Sequence, residues 1–332
     1  MTKQVFLPDD IPAVGKKILE EAGLEVVVGS GRDHEKMKAE GVEASAVLIG
    51  TQKFDADIMD AMPNLKVIAR NGIGYDAVDV DAATQRGIYV VNTPKALSGS
   101  VAETAVSELL AISKNLYQDS KAIHDNNWNY RKAHPGRDIE GKTVGILGFG
   151  RIGQQVAKKL SGFDVKVIAF DPFAKDVPGV KLVDRETIFK TADYVMVHLP
   201  ALPETQHSIG ADEFKLMKND AFLINMARGS ILVESDLVLA LKSGEIAGAA
   251  LDVFEEEPLP VTNPLVALEN VLLTPHIASN TVETKARMAV DATNDIVRVL
   301  SGKNPESAVN KIDKQLEKRL IKSRFLISRC IM

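Results

Sequence analysis

The 332 residues include one cysteine, Cys330, one tryptophan, Trp128, and aromatic side chains at only 5% of positions. A lone cysteine excludes an intramolecular disulfide and a cysteine-rich metal site. No apolar run approaches the roughly 18 residues of a membrane span. The opening Met-Thr-Lys-Gln-Val-Phe-Leu-Pro-Asp-Asp carries no long apolar stretch of the secretory kind. Basic charge is not in excess either. A net charge of -5 and a pI of about 5.8 give no global attraction to nucleic acid or anionic lipid. There is no fixed-period repeat and no low-complexity segment. The expectation is a cytoplasmic protein without nucleic-acid, membrane or metal partners. What is present is ordinary: 45% hydrophobic and 26% charged residues, as in soluble globular chains, and a length that suits two domains.

Short apolar runs alternate with helical stretches along most of the chain. Val5-Leu7, Glu25-Val28, Ala46-Ile49, Val67-Ala69 and Ile88-Val91 read as buried strands, with helices near 13–22, 55–61 and 80–86. Gly23 and Gly87 fall where helices should end. A long helical pattern over 101–118 contains Val101, Ala105, Leu109, Ile112 and Leu116, and a polar stretch with Trp128, Tyr130 and Pro135 follows. The alternation then resumes, with strands at 144–147, 165–170, 193–198, 221–225, 248–253 and 271–274. Helices are expected over 151–161, 235–243 and 282–300. Such alternation argues for parallel sheets. The expected fold is α/β, with two doubly wound parallel-sheet domains and a ligand cleft between them. Residues 1–99 plus 281–332 form the first, flavodoxin-like domain, and residues 100–280 the second, of Rossmann type. From Lys311 to Met332 there are seven basic and two acidic residues. Ile312, Leu316 and Leu320 share one helical face there, which suggests a helix packed on the first domain or a disordered end, with a membrane-surface or partner-binding helix as the further alternative.

Gly148-Phe-Gly-Arg-Ile-Gly153 follows the apolar run Val144-Leu147, and a second run, Val165-Phe170, ends in Asp171, eighteen residues past Gly153. A strand, a glycine turn, a helix and a second strand closed by an acid suit a dinucleotide. Gly148 permits the tight turn, Gly150 lets main chain approach the pyrophosphate, and Gly153 lets helix and strand pack closely. The helix N-terminus offers free N–H groups and partial positive charge to phosphate. Asp171 can accept bonds from both ribose hydroxyls and would repel a 2′-phosphate, which favours NAD over NADP. The plain alternatives are a glycine turn that binds nothing and an acid that caps the strand end.

Three more residues lie just beyond expected strands, where open α/β sheets place ligands. They are Arg228 in Asn225-Met-Ala-Arg-Gly229, Glu257 in Asp252-Val-Phe-Glu-Glu-Glu-Pro258, and His276 in Thr274-Pro-His-Ile-Ala-Ser279. An arginine fork binds a carboxylate bidentately. A histidine transfers protons near neutrality. A carboxylate beside it favours its charged form and orients the ring. Together they suit reduction of a 2-oxo acid by a hydride and a proton. Each alone could equally be a surface ion pair or a loop cap, and spacing does not show that they meet.

Six motifs in order carry a resemblance. They are Asn71-Gly-Ile-Gly-Tyr-Asp-Ala-Val-Asp79, Gly148 to Gly153, His198-Leu-Pro200 with Pro203-Glu-Thr205, Asn225 to Gly229, Asp252 to Pro258, and Pro275-His276. Over about residues 1–310 the chain resembles the D-isomer-specific 2-hydroxyacid dehydrogenase family. The resemblance implies that Arg228, Glu257 and His276 form the catalytic triad. Arg228 would bind the substrate carboxylate and the reacting oxygen, His276 would move the proton, and Glu257 would hold His276 protonated. The main-chain N–H groups of Ile73 and Gly74 would cradle the carboxylate. Asp252 would hold the nicotinamide carboxamide. His198 and Pro200 would line the adenosine side of NAD, and Arg151, Ile152 and Ala227 complete the implied cofactor contacts. For His198 alone, a satisfied buried histidine is the better reading. The resemblance also implies a homodimer clasped through helix 101–118 and the segment to about 140, although that stretch could equally be core. Ala77 stands where the family has asparagine, and the C-terminal tail matches nothing in the family pattern.

Within the family the chain looks nearest to phosphoglycerate dehydrogenase-like members. Arg70 matches one arginine that those enzymes use for the substrate phosphate, although it could instead pair with a surface acid. Gly50 falls where another arginine would be, with Lys53 close by. D-3-Phosphoglycerate is one expected substrate, and hydroxypyruvate or glyoxylate is the alternative. Formate dehydrogenases carry glutamine where this chain has Glu257. An NAD-sensing, corepressor-like binding protein is the competing class, and turnover of 2-oxo acids discriminates it.

Overall fold

A computed structural model describes residues 2–175 and 177–312. Most of the basic tail, from residue 313 on and including Cys330, lies outside the described residues. In chain order the first elements are β1 (Gln4–Leu7), α1 (Ala13–Glu21), β2 (Glu25–Val28), α2 (His34–Glu40), β3 (Ala44–Ile49), α3 (Ala56–Asp60), β4 (Val67–Arg70), α4 (Val80–Gln85) and β5 (Tyr89–Val91). Then come α5 (Ser98–Ser113), α6 (Leu116–His124), α7 (Tyr130–Ala133), β6 (Thr143–Leu147), α8 (Arg151–Leu160), β7 (Lys166–Phe170), β8 (Val180–Leu182), α9 (Arg185–Thr191) and β9 (Tyr194–Val197). The last are α10 (Ala211–Leu216), β10 (Phe222–Asn225), α11 (Glu234–Ser243), β11 (Gly248–Leu251), β12 (Val271–Leu273) and α12 (Val282–Leu300). No helix among the described residues is long and apolar enough to cross a membrane.

The chain divides into two compact units. One runs to Leu97 and resumes at Thr281, and the other is Ser98–Asn280. The first unit holds a five-stranded parallel sheet in the order β2-β1-β3-β4-β5, the flavodoxin-like arrangement. Its central strands β1, β3 and β4 are buried on both faces, as a sheet covered on both sides requires. Phe6, Ile49, Phe54, Ile58 and Ile68 pack on one side. Val5, Leu7, Leu48 and Val67 pack on the other with Ala292, Ile296 and Leu300 of α12. Burying each large apolar side chain contributes roughly 1.5–3 kcal/mol, so α12 is an integral layer of this unit although nearly two hundred residues separate it from β5 in sequence.

The second unit holds a seven-stranded parallel sheet in the order β12-β11-β10-β9-β6-β7-β8. β6, β7 and β8 run one way from the centre and β9 to β12 the other, which is the doubly wound Rossmann order. The change of direction lies between β6 and β9. Its core joins Leu147, Val195, Val197, Leu223, Leu237 and Leu251 with Phe189 and Phe214.

The expected helix over 101–118 is two helices. Asn115 takes a left-handed conformation, with φ 55°, and the Ser113 carbonyl accepts the N–H of Arg137 at 2.6 Å. The segment at Gly136–Arg137 thus takes the hydrogen bond that would have continued α5, and Leu116 belongs to the next helix.

Candidate active site

In the second unit, six strands end in a single row. Leu273, Leu251, Asn225, Val197, Leu147 and Phe170 are register partners across the sheet. Because every pairing is parallel, the chain leaves all six strands on the same edge. The next residues are Thr274, Asp252, Met226, His198, Gly148 and Asp171. A ligand that touches this edge meets them in that order, over roughly 24 Å at about 4.8 Å per strand.

Gly148 sits at the direction change with φ 90°, and a Cβ there would lie 2.5 Å from the carbonyl oxygen of His198. Only glycine fits. A Cβ on Gly153 would collide with the carbonyl oxygen of Gly148, whereas one on Gly150 would project into open space. Gly150 is the N-cap of α8 and supplies no side-chain cap, so first-turn N–H groups face outward with the helix's partial positive charge. The Asp171 carboxylate accepts the N–H of Phe149 at 2.9 Å and that of Phe173 at 2.8 Å. It therefore caps the turn while keeping lone pairs for another donor. His198 is not a satisfied buried histidine. Among the described residues neither ring nitrogen, both shut off from water, has a hydrogen-bond partner, and burial lowers its pKa to about 4, which keeps the ring neutral. Orphaned buried polar atoms beside an open helix N-terminus fit the bound dinucleotide that the glycine turn implies.

Arg228 follows β10 through a turn built by Asn225, which is fully buried. The Asn225 Oδ1 accepts the Ala227 N–H at 3.0 Å, and its Nδ2 donates to the Arg228 carbonyl at 2.9 Å. One Arg228 nitrogen donates to the Ala227 carbonyl at 2.7 Å. Gly229 closes the turn where the main chain of Phe254 and Glu255 passes so near that a Cβ would overlap it.

Glu257 and His276 do meet. The ring Nδ1 lies 2.7 Å from Glu257 Oε2, and Glu257 Oε1 accepts the Phe254 N–H at 3.1 Å. Burial pushes the Glu257 carboxyl up, but the bond and charge of His276, the Phe254 N–H and the Arg228 charge outweigh it and hold it below its ordinary value. The Arg228 charge thus acts on the same carboxylate that orients His276. The His276 side chain is 35% exposed, so Nε2 is the ring's open position. Its backbone is left-handed, φ 53°, an uncommon conformation that surrounding bonds must sustain. The His276 N–H donates to the Asp252 carbonyl at 2.9 Å. The Asp252 carboxylate, with no exposed surface, accepts the N–H groups of Ile277 and Ala278 at 2.7 and 2.8 Å and the hydroxyl of Thr274 at 2.7 Å. Asp252 organises the segment that carries His276.

In the first unit, β4 ends at Arg70 and the loop Asn71–Gly74 follows. Arg70 is only 8% exposed, and its Nη1 donates to the Asn71 carbonyl. Asn92 Nδ2 donates to the Ile73 carbonyl at 2.8 Å, and the Thr93 N–H to that of Gly72 at 2.9 Å. These bonds fix the loop's shape. Among the described residues no acceptor takes the N–H of Ile73 or Gly74. The buried Asn71 Oδ1 and Thr93 Oγ1 are also without partners.

With this geometry in place, the comparisons with known proteins are specific. The model of the D-isomer specific 2-hydroxyacid dehydrogenase NAD binding domain matches residues 106–278. The chain belongs to the D-isomer-specific 2-hydroxyacid dehydrogenase family. It is an NAD-dependent oxidoreductase of 2-hydroxy acids. It is 41% identical over 322 residues to a glyoxylate reductase from Thermofilum pendens, covering 93% of this chain and 94% of that protein. It is 40% identical over 312 residues to a D-3-phosphoglycerate dehydrogenase from Archaeoglobus fulgidus, covering 92% of this chain but 59% of that longer protein. The structure of an NADPH-dependent glyoxylate/hydroxypyruvate reductase from Sinorhizobium meliloti superposes with a TM-score of 0.84 at 32% identity, covering 92% of this chain and 97% of that one.

Sequence reasoning assigned no role to Asn225, Thr274 or Glu108, all of which shape this edge. Asn225 was visible as the first residue of a motif. Glu108 sat unread among the apolar positions of the 101–118 helix.

Proposed function

We propose that this enzyme interconverts a short 2-oxo acid and its D-2-hydroxy acid, with Arg228, Glu257 and His276 as its catalytic residues. The observation that carries the proposal is the 2.7 Å contact of His276 with Glu257, on the sheet edge that also presents the glycine turn. NAD would be held by the turn at Gly148, Gly150 and Gly153, by Arg151 and Ile152 at the helix start, and by Asp171, His198, Pro200, Ala227 and Asp252. When bound, it supplies the hydride donor and acceptor. Arg228 offers its fork to the substrate carboxylate. Glu257 accepts the Nδ1 proton and so fixes the ring, leaving Nε2 to give a proton to the carbonyl oxygen in reduction and to take it back in oxidation. The main-chain N–H groups of Ile73 and Gly74, which no acceptor takes among the described residues, would serve a substrate carboxylate.

For the remainder of the substrate two readings stand. Arg70 supports D-3-phosphoglycerate, since an arginine at that place could meet a phosphate. Its inward bond to Asn71 and the absence of a side chain at Gly50 favour glyoxylate or hydroxypyruvate. Turnover of NADH with glyoxylate, hydroxypyruvate and 3-phosphohydroxypyruvate tests both. A kcat/KM highest for the phosphorylated acid, and falling in Arg70→Ala, supports the first. Failure of every acid alongside clear NADH binding would leave an NAD-sensing binding protein. The assembly proposed is a cytoplasmic homodimer. Leu116, Tyr117, Ile123 and Trp128, each more than half exposed, cluster over α6 and the turn after it, and a second copy would cover them. Light scattering that returns the monomer mass would reject this.

A further inference from the structure

Glu108 is a carboxyl group that the reaction as described does not use. It lies on α5, is 4% exposed, and its Oε1 is 2.7 Å from the Thr274 hydroxyl. That hydroxyl is equally 2.7 Å from Asp252 Oδ1. One hydroxyl has one proton and cannot donate to two carboxylates. Asp252 already accepts two main-chain N–H groups, so it is the anion of the pair. Among the described residues Glu108 has no such donors, and its buried Oε2 has no partner. The arrangement closes only if Glu108 brings a second proton. A Glu108 carboxylic acid then donates to Thr274, and Thr274 donates to Asp252. From Asp252 the order continues through the N–H groups of residues 276 to 278 into the left-handed turn at His276.

We infer that Glu108 is a positioning residue, protonated in the working enzyme, which holds Asp252 and the His276 segment in register through Thr274. The environment agrees. Burial raises the Glu108 carboxyl to about 7, with the Thr274 bond opposing and the Asp252 charge adding. Of the elements packed on α5, the end of β11 supplies Asp252 and the end of β12 supplies Thr274. β10 carries no titratable side chain. α8 carries Arg151, Lys158 and Lys159, with Lys159 tied to Glu103 at 2.9 Å, and α6 carries Tyr117, Asp119, Lys121 and His124 beyond the end of α5. An acid whose pKa is higher folded than unfolded stabilises the fold at low pH and loses that contribution as pH rises through its folded value.

The inference rests on His276 as the proton-transfer group, so the test includes readouts independent of turnover. In the full enzyme at pH 6, the infrared spectrum should show the C=O stretch of a protonated carboxyl that disappears in Glu108→Gln. The melting temperature of Glu108→Gln relative to wild type should rise by roughly 5 °C between pH 5 and pH 8. Glu108→Leu, which offers Thr274 no donor, should lose about tenfold in kcat with NADH affinity changed less, and Glu108→Gln, whose amide can donate, should recover most of it. If Glu108→Leu does not fold, the infrared band and the pH-dependent melting difference decide. No carboxyl band together with a pH-independent melting difference would overturn the inference. A fully active His276→Ala with the Glu108 results intact would instead locate the failure in the proton-transfer assignment.

Discussion

Replacing Gly229 with alanine adds one methyl group at the tightest main-chain crossing of the candidate site. Its Cβ would overlap the carbonyl carbon and oxygen of Phe254 and the amide nitrogen of Glu255. These are backbone atoms, and no rotamer change can move them aside. Either the Arg228–Gly229 turn or the strand-end segment leading to Glu257 must yield by on the order of 1 Å. Overpacking of this kind costs about 1–3 kcal/mol, and in a unit of this size each kcal/mol lowers the melting temperature by roughly 2–4 °C. Activity should suffer more than stability. The two segments forced apart carry Arg228 and Glu257, and a misplacement of about 1 Å can cost on the order of 10²-fold in rate. NADH binding, proposed for the turn at Gly148, should persist. The assay is NADH oxidation with the best 2-oxo acid, together with thermal melting and a fluorescence titration of NADH. A Gly229→Ala enzyme with wild-type kcat/KM and melting temperature would refute the packing argument.

Three further outcomes follow from the same geometry. Arg228→Lys keeps the charge but loses the fork, so KM for the oxo acid should rise and kcat fall; unchanged kinetics would remove Arg228 from the substrate. Asp171→Ala should lower the NAD-to-NADP ratio of kcat/KM by about tenfold or more, and an unchanged ratio would assign Asp171 to capping the turn alone. Glu257 has a folded pKa held below its ordinary value of 4.5, so its ionised form contributes stability above that value and the contribution is lost as pH falls through the folded pKa. Glu257→Gln should therefore differ from wild type most at neutral pH and least in strong acid, measured as melting temperature against pH; a constant difference would contradict this.

The architecture was legible because each sheet is built from short apolar runs of three to six residues, the central ones buried on both faces, and the glycine turn announced where one helix began. Two kinds of feature escaped. Short helices such as α2 and α9 are set by a single capping aspartate, Asp33 or Asp184, accepting an N–H in the first turn, which periodicity over so few residues cannot register. The break at Asn115 depends on Arg137, twenty-two residues away, and no local pattern encodes it. The site divided similarly. Arg228, Glu257 and His276 were visible as charged residues beyond strand ends, but the contact of Glu257 with His276 required the register that aligns Asn225, Leu251 and Leu273. His198 defied the plain expectation of a satisfied core histidine because its neighbours offer its ring no partner. Glu108 was hidden for the opposite reason, since an acid at an apolar helical position reads as a solvated edge until Thr274 is brought beside it.

The most direct measurement is the single-turnover rate of NADH oxidation by His276→Ala at saturating oxo acid. Loss of roughly 10²–10⁴-fold, with NADH affinity retained and the melting temperature near wild type, is the result expected if His276 carries the proton. A variant that turns over at the wild-type rate would contradict the account at its centre.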